Sequence, residues 1–219
     1  MQTIFKFTLL VAIAGVLLLP GLASADDWQK ISDDDGITVF QKKDAAEGTG
    51  VSFRGETILA SNTEDILRVM ADNSKAHRWI PLVVSRRNLQ KISNDERIEY
   101  THVSMPWPLA DRYFINRAKV ERLPEGLMRV FVQSIENPDQ ALLESGKVLG
   151  FLYYSELMLT PIEGGAKTRM VIEINSDPKG LIPKFLVNAS QRSWPRKFFK
   201  GLTVMLEEAG ALKTSSLDH

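Results

Sequence analysis

Residues 176–210 read SDPKGLIPKFLVNASQRSWPRKFFKGLTVMLEEAG, and this stretch decides the fold. Just before it, Met170, Ile172 and Ile174 alternate onto one face, as an extended segment does. Ser176-Asp177-Pro178-Lys179-Gly180 is a turn cluster. A long helical pattern follows, with Pro183 near its first turn, where a missing N–H has no bond to lose. At about 100° per residue, Val187, Gln191, Trp194, Phe198, Leu202, Met205 and Ala209 share one face, and Arg192, Arg196, Lys200 and Glu207 take the opposite one. The spacing predicts an amphipathic helix roughly 36 Å long at about 1.5 Å per residue. Its apolar face is too wide and aromatic to stay in water, so the rest of the chain must supply a matching surface.

Working upstream, residues 82–175 carry an antiparallel-sheet pattern. Strands are expected over 83–92, 97–105, 113–123, 127–135, 147–160 and 167–175, separated by turn signals such as Asn94-Asp95, Pro124-Glu125-Gly126 and Glu163-Gly164-Gly165. Several exceed the usual strand length, which suits a strongly curved sheet. Further strands are expected over 37–42 and 50–58. Ser61 and Glu64 form a capping box that opens a helix with Ile66, Val69 and Met70 inward. Trp79 sits in a short helical turn stopped by Pro81. Residues 26–35 read as a short helix or coil. Asp33-Asp34-Asp35-Gly36 is a solvated turn, because the later carboxylates of a calcium loop are missing. The periodicity therefore describes an α+β fold in which a curved antiparallel sheet grips one long C-terminal helix.

Residues 1–25 read as a signal peptide. Lys6 supplies the positive start, residues 7–19 are continuously apolar, and Ala23-Ser24-Ala25 is a small-residue cleavage site. The apolar run is shorter than the ~18 residues of a spanning helix, so export with cleavage near Ala25 is expected, to the periplasm or the medium; a retained anchor is the alternative. Lys6 is the one charged leader residue, leaving 26 basic against 27 acidic residues and a net charge of −1. Such a balance gives no field that would draw the chain to nucleic acid. The chain has no cysteine, which removes disulfides, thiolate catalysis and cysteine metal sites together. Residues 26–213 suffice for one core-stabilised domain without a linker, and 214–219 read as a flexible tail.

The stretch Asp177-Pro178-Lys179-Gly180-Leu181-Ile182-Pro183-Lys184-Phe185-Leu186-Val187-Asn188 resembles the signature leading into the last helix of START domains, the StAR-related lipid-transfer modules. Further matches stand upstream in the family's order: Asp35-Gly36-Ile37-Thr38-Val39-Phe40, Trp79, and Pro106-Trp107-Pro108-Leu109-Ala110-Asp111-Arg112-Tyr113-Phe114. The resemblance implies the helix-grip (START/Bet v 1-like) fold with an internal cavity between sheet and helix, and a bound hydrophobic molecule such as a lipid, sterol or isoprenoid. The sequence departs from the family at Tyr113, which replaces the aspartate of an Arg-Asp pair, so Arg112 must be compensated in another way and is read as structural.

Enzyme signals are sparse. There is no Gly-x-Ser-x-Gly elbow, no phosphate-cradling glycine loop and no His-Glu-x-x-His. His102 shares a strand face with Ile98, Tyr100 and Ser104, and is either an ordinary strand histidine or a polar contact for a ligand head. Trp107, between two prolines, is either a packed turn aromatic or a residue at the cavity mouth. Gln191 interrupts the apolar helix face, and Pro195 four residues later cannot donate to its carbonyl. Glu156 and Arg169 are read as solvent-facing rather than as a pair inside the cavity. Arg192, Arg196 and Lys200 form a basic stripe, either simply solvated or in transient contact with an anionic membrane surface.

Taken with the resemblance, the ligand-binding assignment is Trp79, His102, Trp107, Phe114, Ile182, Val187, Gln191, Trp194, Phe198, Leu202 and Met205, with Asp177, Pro178, Gly180 and Pro183 as a gate. No catalytic residue, metal or cofactor is assigned, and the protein is expected to act as a monomer. The rival readings are a cyclase- or hydrolase-like enzyme on the same fold, for which His102 is the acid–base nominee, and a partner-binding module.

Overall fold

The computed structural model describes residues 28–42 and 50–212. The expected leader, residues 1–25, and the tail, 214–219, lie outside the described residues. Nine strands form one antiparallel path. In chain order they are β1 (Trp28–Asp34), β2 (Ile37–Lys42), β3 (Val51–Leu59), β4 (Val83–Lys91), β5 (Glu96–Val103), β6 (Arg112–Arg122), β7 (Met128–Ser134), β9 (Phe151–Ile162) and β10 (Lys167–Asp177). The spatial order is β1-β2-β3-β10-β9-β7-β6-β5-β4, and the two-residue β8 (Val148–Leu149) pairs parallel to β6. The helices are α1 (Thr63–Ala71), α2 (Ala76–Trp79) and α3 (Lys184–Glu208).

The dry face of the sheet is set by strand parity. Met170, Ile172, Leu157, Leu159, Met128 and Val130 point to one side and share a core with Phe198, Phe199, Leu202 and Leu206 of α3, while Phe53 packs against Trp194. Two glycines allow this approach. A Cβ at Gly55 would lie 2.9 Å from both Pro195 and Phe199, and one at Gly201 would lie 2.8 Å from the Trp79 Cα. Phe198 packs edge-on to Trp79, with centroids 5.5 Å apart, and stacks on Trp194 at 5.0 Å.

The expected helix face is the buried one at Gln191, Phe198, Leu202 and Met205; Ala209 is exposed, and Pro195, Phe199 and Leu206 broaden the face. The basic stripe is not free. Arg196 pairs with Asp34 and Lys200 with Asp35, at 2.8 Å for the second, so the β1–β2 turn is tied to α3.

Three local expectations are corrected. Residues 28–34 form an edge strand, because pairing with β2 outweighs their polar composition. The α1 cap is Asn62, whose side chain accepts the Asp65 amide at 2.9 Å, in place of a Ser61–Glu64 box; Ser61 is held instead through its carbonyl by the Thr168 hydroxyl at 2.7 Å. The single strand expected over 147–160 is divided around Gly150, where Phe114 packs. Farther along β9 the register skips Tyr153, a bulge that turns both Leu152 and Ser155 toward the helix side.

Candidate functional site

Between sheet and helix lies a cavity of about 380 Å³, within the usual range of small-molecule sites, about 300–1,000 Å³. One wall is apolar: Val130 and Val132 of β7, Leu157 of β9, and Ile172 and Ile174 of β10, closed by Trp194 and Phe198 of α3. The facing wall is polar. Cross-strand pairing aligns Arg86 of β4 with Thr101 of β5, and Glu99 of β5 with Asn116 of β6, and all four side chains line the cavity. Arg97 Nε donates to Glu99 Oε2 at 2.9 Å. Asn116 in turn accepts the Ser134 hydroxyl at 2.9 Å, and Ser134 accepts the Leu152 amide at 2.9 Å, which secures the bulged strand to its neighbours. At the rim, Arg122 faces Glu64 of α1 at 3.6 Å and pairs with Asp95 of the β4–β5 turn.

Of the residues assigned from sequence, Trp79, Trp194 and Phe198 line this cavity. Gln191, Leu202 and Met205 are buried but outside its lining, and the Gln191 Oε1 has no hydrogen-bond partner. Phe114, Ile182 and Val187 are half-buried and also outside it. His102 is a correction: it projects from the opposite sheet face, where Tyr100 and Tyr113 stack in a second small core. Its Nε2 lies 2.7 Å from Asp111 Oδ2. The Met105 amide and then His102 hold the Asp111 carboxyl below its usual range. Trp107 is a second correction, standing 93% exposed at a turn and outside the cavity lining.

Arg112 is buried, and its charge is met by backbone. Nε donates to the Pro178 carbonyl at 3.2 Å, Nη2 to the Lys179 carbonyl at 3.0 Å, and Nη1 to the Ala110 carbonyl. Burial holds this guanidinium below its ordinary value, with Asp111 opposing the shift. Tyr113, where the resemblance implies an aspartate, turns to the other face and accepts the Glu144 amide at 3.1 Å. One side chain thus fastens the 177–180 turn to the proline loop. Asp177, Pro178, Gly180 and Pro183 do not line the cavity themselves.

The START domain family model matches residues 10–211. The chain belongs to the START domain family. It is 25% identical to an uncharacterised protein of Pseudomonas aeruginosa over 95% of this chain and 100% of that one. It is 24% identical to the mouse phosphatidylcholine transfer protein over 84% of this chain and 85% of that one. Among solved structures, a STAR-related lipid transfer protein from Xanthomonas axonopodis is 28% identical with a TM-score of 0.70, covering 83% of this chain and 99% of its own. Human StAR-related lipid transfer protein 5 shares the fold, with a TM-score of 0.75 at 19% identity, covering 86% of this chain and 90% of its own. The sheet and C-terminal helix of this START domain are therefore the helix-grip arrangement.

The polar wall escaped the sequence reading. In β5 the apolar alternates, Ile98 and Tyr100, face outward, and the polar ones, Arg97, Glu99 and Thr101, face the cavity. Parity groups these residues correctly, but only the presence of a second core on the outer face explains which group looks inward.

Proposed function

We propose that this START domain is a non-enzymatic carrier that holds one hydrophobic molecule in the cavity and transfers it between membranes. The observation that carries the reading is the two-sided cavity, with apolar β7, β9, β10 and α3 opposite a polar β4–β6 wall. Moving one CH₂ into water costs about 0.8 kcal/mol, so a sixteen-carbon chain resists leaving a bilayer by about 12 kcal/mol. An apolar wall offsets most of that barrier without any nucleophile or metal. Against an enzymatic reading stands His102, which points away from the cavity and is engaged by Asp111.

In this reading the protein acts as an exported monomer, freed of residues 1–25, and the 177–183 segment is the gate. Trp107, Leu181 and Phe185 are 93%, 95% and 70% exposed. The Arg112 clasp brings the first two loops together. Apolar side chains so exposed suit contact with a membrane interface better than the helix stripe, whose Arg196 and Lys200 are occupied by Asp34 and Asp35.

Native mass spectrometry of the protein purified from its own source tests the reading. A non-covalent adduct of lipid mass is expected. A protein that carries no adduct and also fails to bind a fluorescent fatty acid or its ester would overturn it.

A further inference from the structure

Among the described residues of α3, only Trp194 and Phe198 line the cavity, one helical turn apart. A turn is about 5.4 Å of helix, so the cavity crosses α3 and does not run along it. On the C-terminal side of that turn the interior is filled. Leu202, Met205 and Leu206 are buried there in one core with Ile66 and Met70 of α1. On the N-terminal side Gln191 is buried outside the lining.

The two lining rings belong to a packed row. Ring centroids lie 5.1 Å apart for Phe53 and Trp194, 5.0 Å for Trp194 and Phe198, 5.5 Å for Phe198 and Trp79, and 5.4 Å for Phe198 and Phe199. Phe53, Phe198 and Phe199 are almost fully enclosed, and the Trp79 backbone lies directly against Gly201. Rings wedged from both sides do not swing away to lengthen a cavity, because a close-packed interior leaves them no space to enter.

The volume agrees. At ~30 Å³ per water molecule, about 380 Å³ corresponds to roughly a dozen waters. A methylene group takes up nearly the space of a water, so the cavity encloses most of one alkyl or isoprenoid chain. The tails of a two-chain phospholipid need more than twice that space, and the fused rings and side chain of a sterol also exceed it.

We infer that the cavity takes a single-chain lipid, and that the row Phe53, Trp194, Phe198 and Trp79 is the stop that keeps out a second chain. This rests on the carrier reading above and adds the chain number of the cargo.

The test incubates the purified protein with vesicles made of dipalmitoyl phosphatidylcholine, palmitoyl lysophosphatidylcholine, palmitate and cholesterol, and weighs its adducts by native mass spectrometry. The two phosphatidylcholines share a head and differ in chain number. Single-chain adducts are expected to exceed two-chain and sterol adducts by about tenfold or more. Trp194→Ala removes the ring beside Phe53 and should raise the two-chain share about tenfold. Phe198→Leu should raise it by a smaller factor, so the outcome does not depend on one variant folding. Val132→Phe fills space on the sheet side and should shift preference from palmitate toward laurate several-fold. Two-chain or sterol adducts as abundant as single-chain ones in the wild type would overturn the inference and leave the carrier reading standing. Continued exclusion of the two-chain lipid from both enlarged variants would overturn the assignment of the stop to this row. An unchanged chain preference in Val132→Phe would place the chain elsewhere and count equally against it. If no adduct forms with any of the four lipids, the carrier reading itself fails and takes the inference with it.

Discussion

Arg112 Nη2 donates to the Lys179 carbonyl at 3.0 Å, so one buried guanidinium on β6 secures the turn that leads into α3. The same strand ends, ten residues later, in Arg122 at the cavity rim. At about 3.4 Å per residue the two arginines stand roughly 34 Å apart. They mark the two candidate entrances, and they are built differently. Arg112 is enclosed and makes hydrogen bonds to backbone, whereas Arg122 is half-exposed and makes ion pairs.

Replacing Arg112 by Met should therefore act on the gate. Loss of charged hydrogen bonds to three carbonyls is expected to cost about 2–4 kcal/mol. Amide exchange over 177–183 should rise, and release of a bound fluorescent lipid should accelerate about tenfold. Arg122→Gln, which removes screened surface pairs, should leave release within about twofold. The opposite ranking in stopped-flow release would place the entrance at the rim. A reducible disulfide joining the 177–180 turn to the 104–111 loop should stop transfer when oxidised and restore it when reduced.

The cavity wall offers a second contrast. Phe198→Arg puts a charge among Trp79, Trp194 and Phe199 and should abolish probe binding, since an unpaired charge is strongly disfavoured there. Arg196→Glu sets like charges against Asp34 on the outside of the helix, and should loosen the β1–β2 hairpin while keeping binding. Titrations of the two folded variants with one hydrophobic probe decide this; equal losses would contradict the cavity lining.

Gly201→Ala should destabilise the fold while leaving the cavity chemistry intact. The new Cβ would meet the Trp79 backbone, with the Arg78 carbonyl 3.1 Å away, and backbone cannot swing aside as a side chain does. A loss of about 1–3 kcal/mol is expected for this overpacking, read as a lower urea midpoint. An unchanged midpoint would mean that α3 and α2 do not meet this closely.

Acid should loosen the tethers of α3. The Lys200 hydrogen bond holds Asp35 below its ordinary value of 3.8, and the Arg78 hydrogen bond does the same for Glu208, whose ordinary value is 4.5. Both carboxyls thus bind protons more readily in the unfolded chain, so stability rises with pH through this range. Their contribution is complete above the ordinary values and is lost as pH falls through the depressed ones. Both pairs are exposed, so the effect is modest and shrinks in high salt. Urea midpoints of the wild type and of Asp35→Asn/Glu208→Gln should differ at pH 6–8, and the difference should shrink steadily as pH falls below the ordinary carboxyl values.

Most of the architecture was legible because periodicity carries it. The face of α3 follows from the spacing of Gln191, Phe198, Leu202 and Met205, and the sheet from alternation around turn residues. What alternation cannot show is which side of a strand is enclosed when both sides are covered. In β5 this hid Arg97, Glu99 and Thr101 and promoted His102. Arg86 was hidden by its setting in β4, where Arg87 beside it lies over the outward Tyr100 ring, 4.7 Å from its centroid. The cap passed to Asn62 while Ser61 is engaged by Thr168, far along the chain, and the edge strand β1 was missed because its polar composition hid a hairpin pairing with β2.

The helix that closes the cavity is unevenly fastened. Past Pro195 it is held by Lys200 to Asp35, by Glu208 to Arg78 at 2.6 Å and by the close approach at Gly201. Before Pro195 the Gln191 carbonyl lacks its helical donor, and Phe185 stands in solvent. In the carrier reading, the arm before Pro195 lifts while the arm beyond it stays seated. How long a cargo resides and how well the domain resists denaturation then become separate properties, each adjustable by mutations in its own half of the helix.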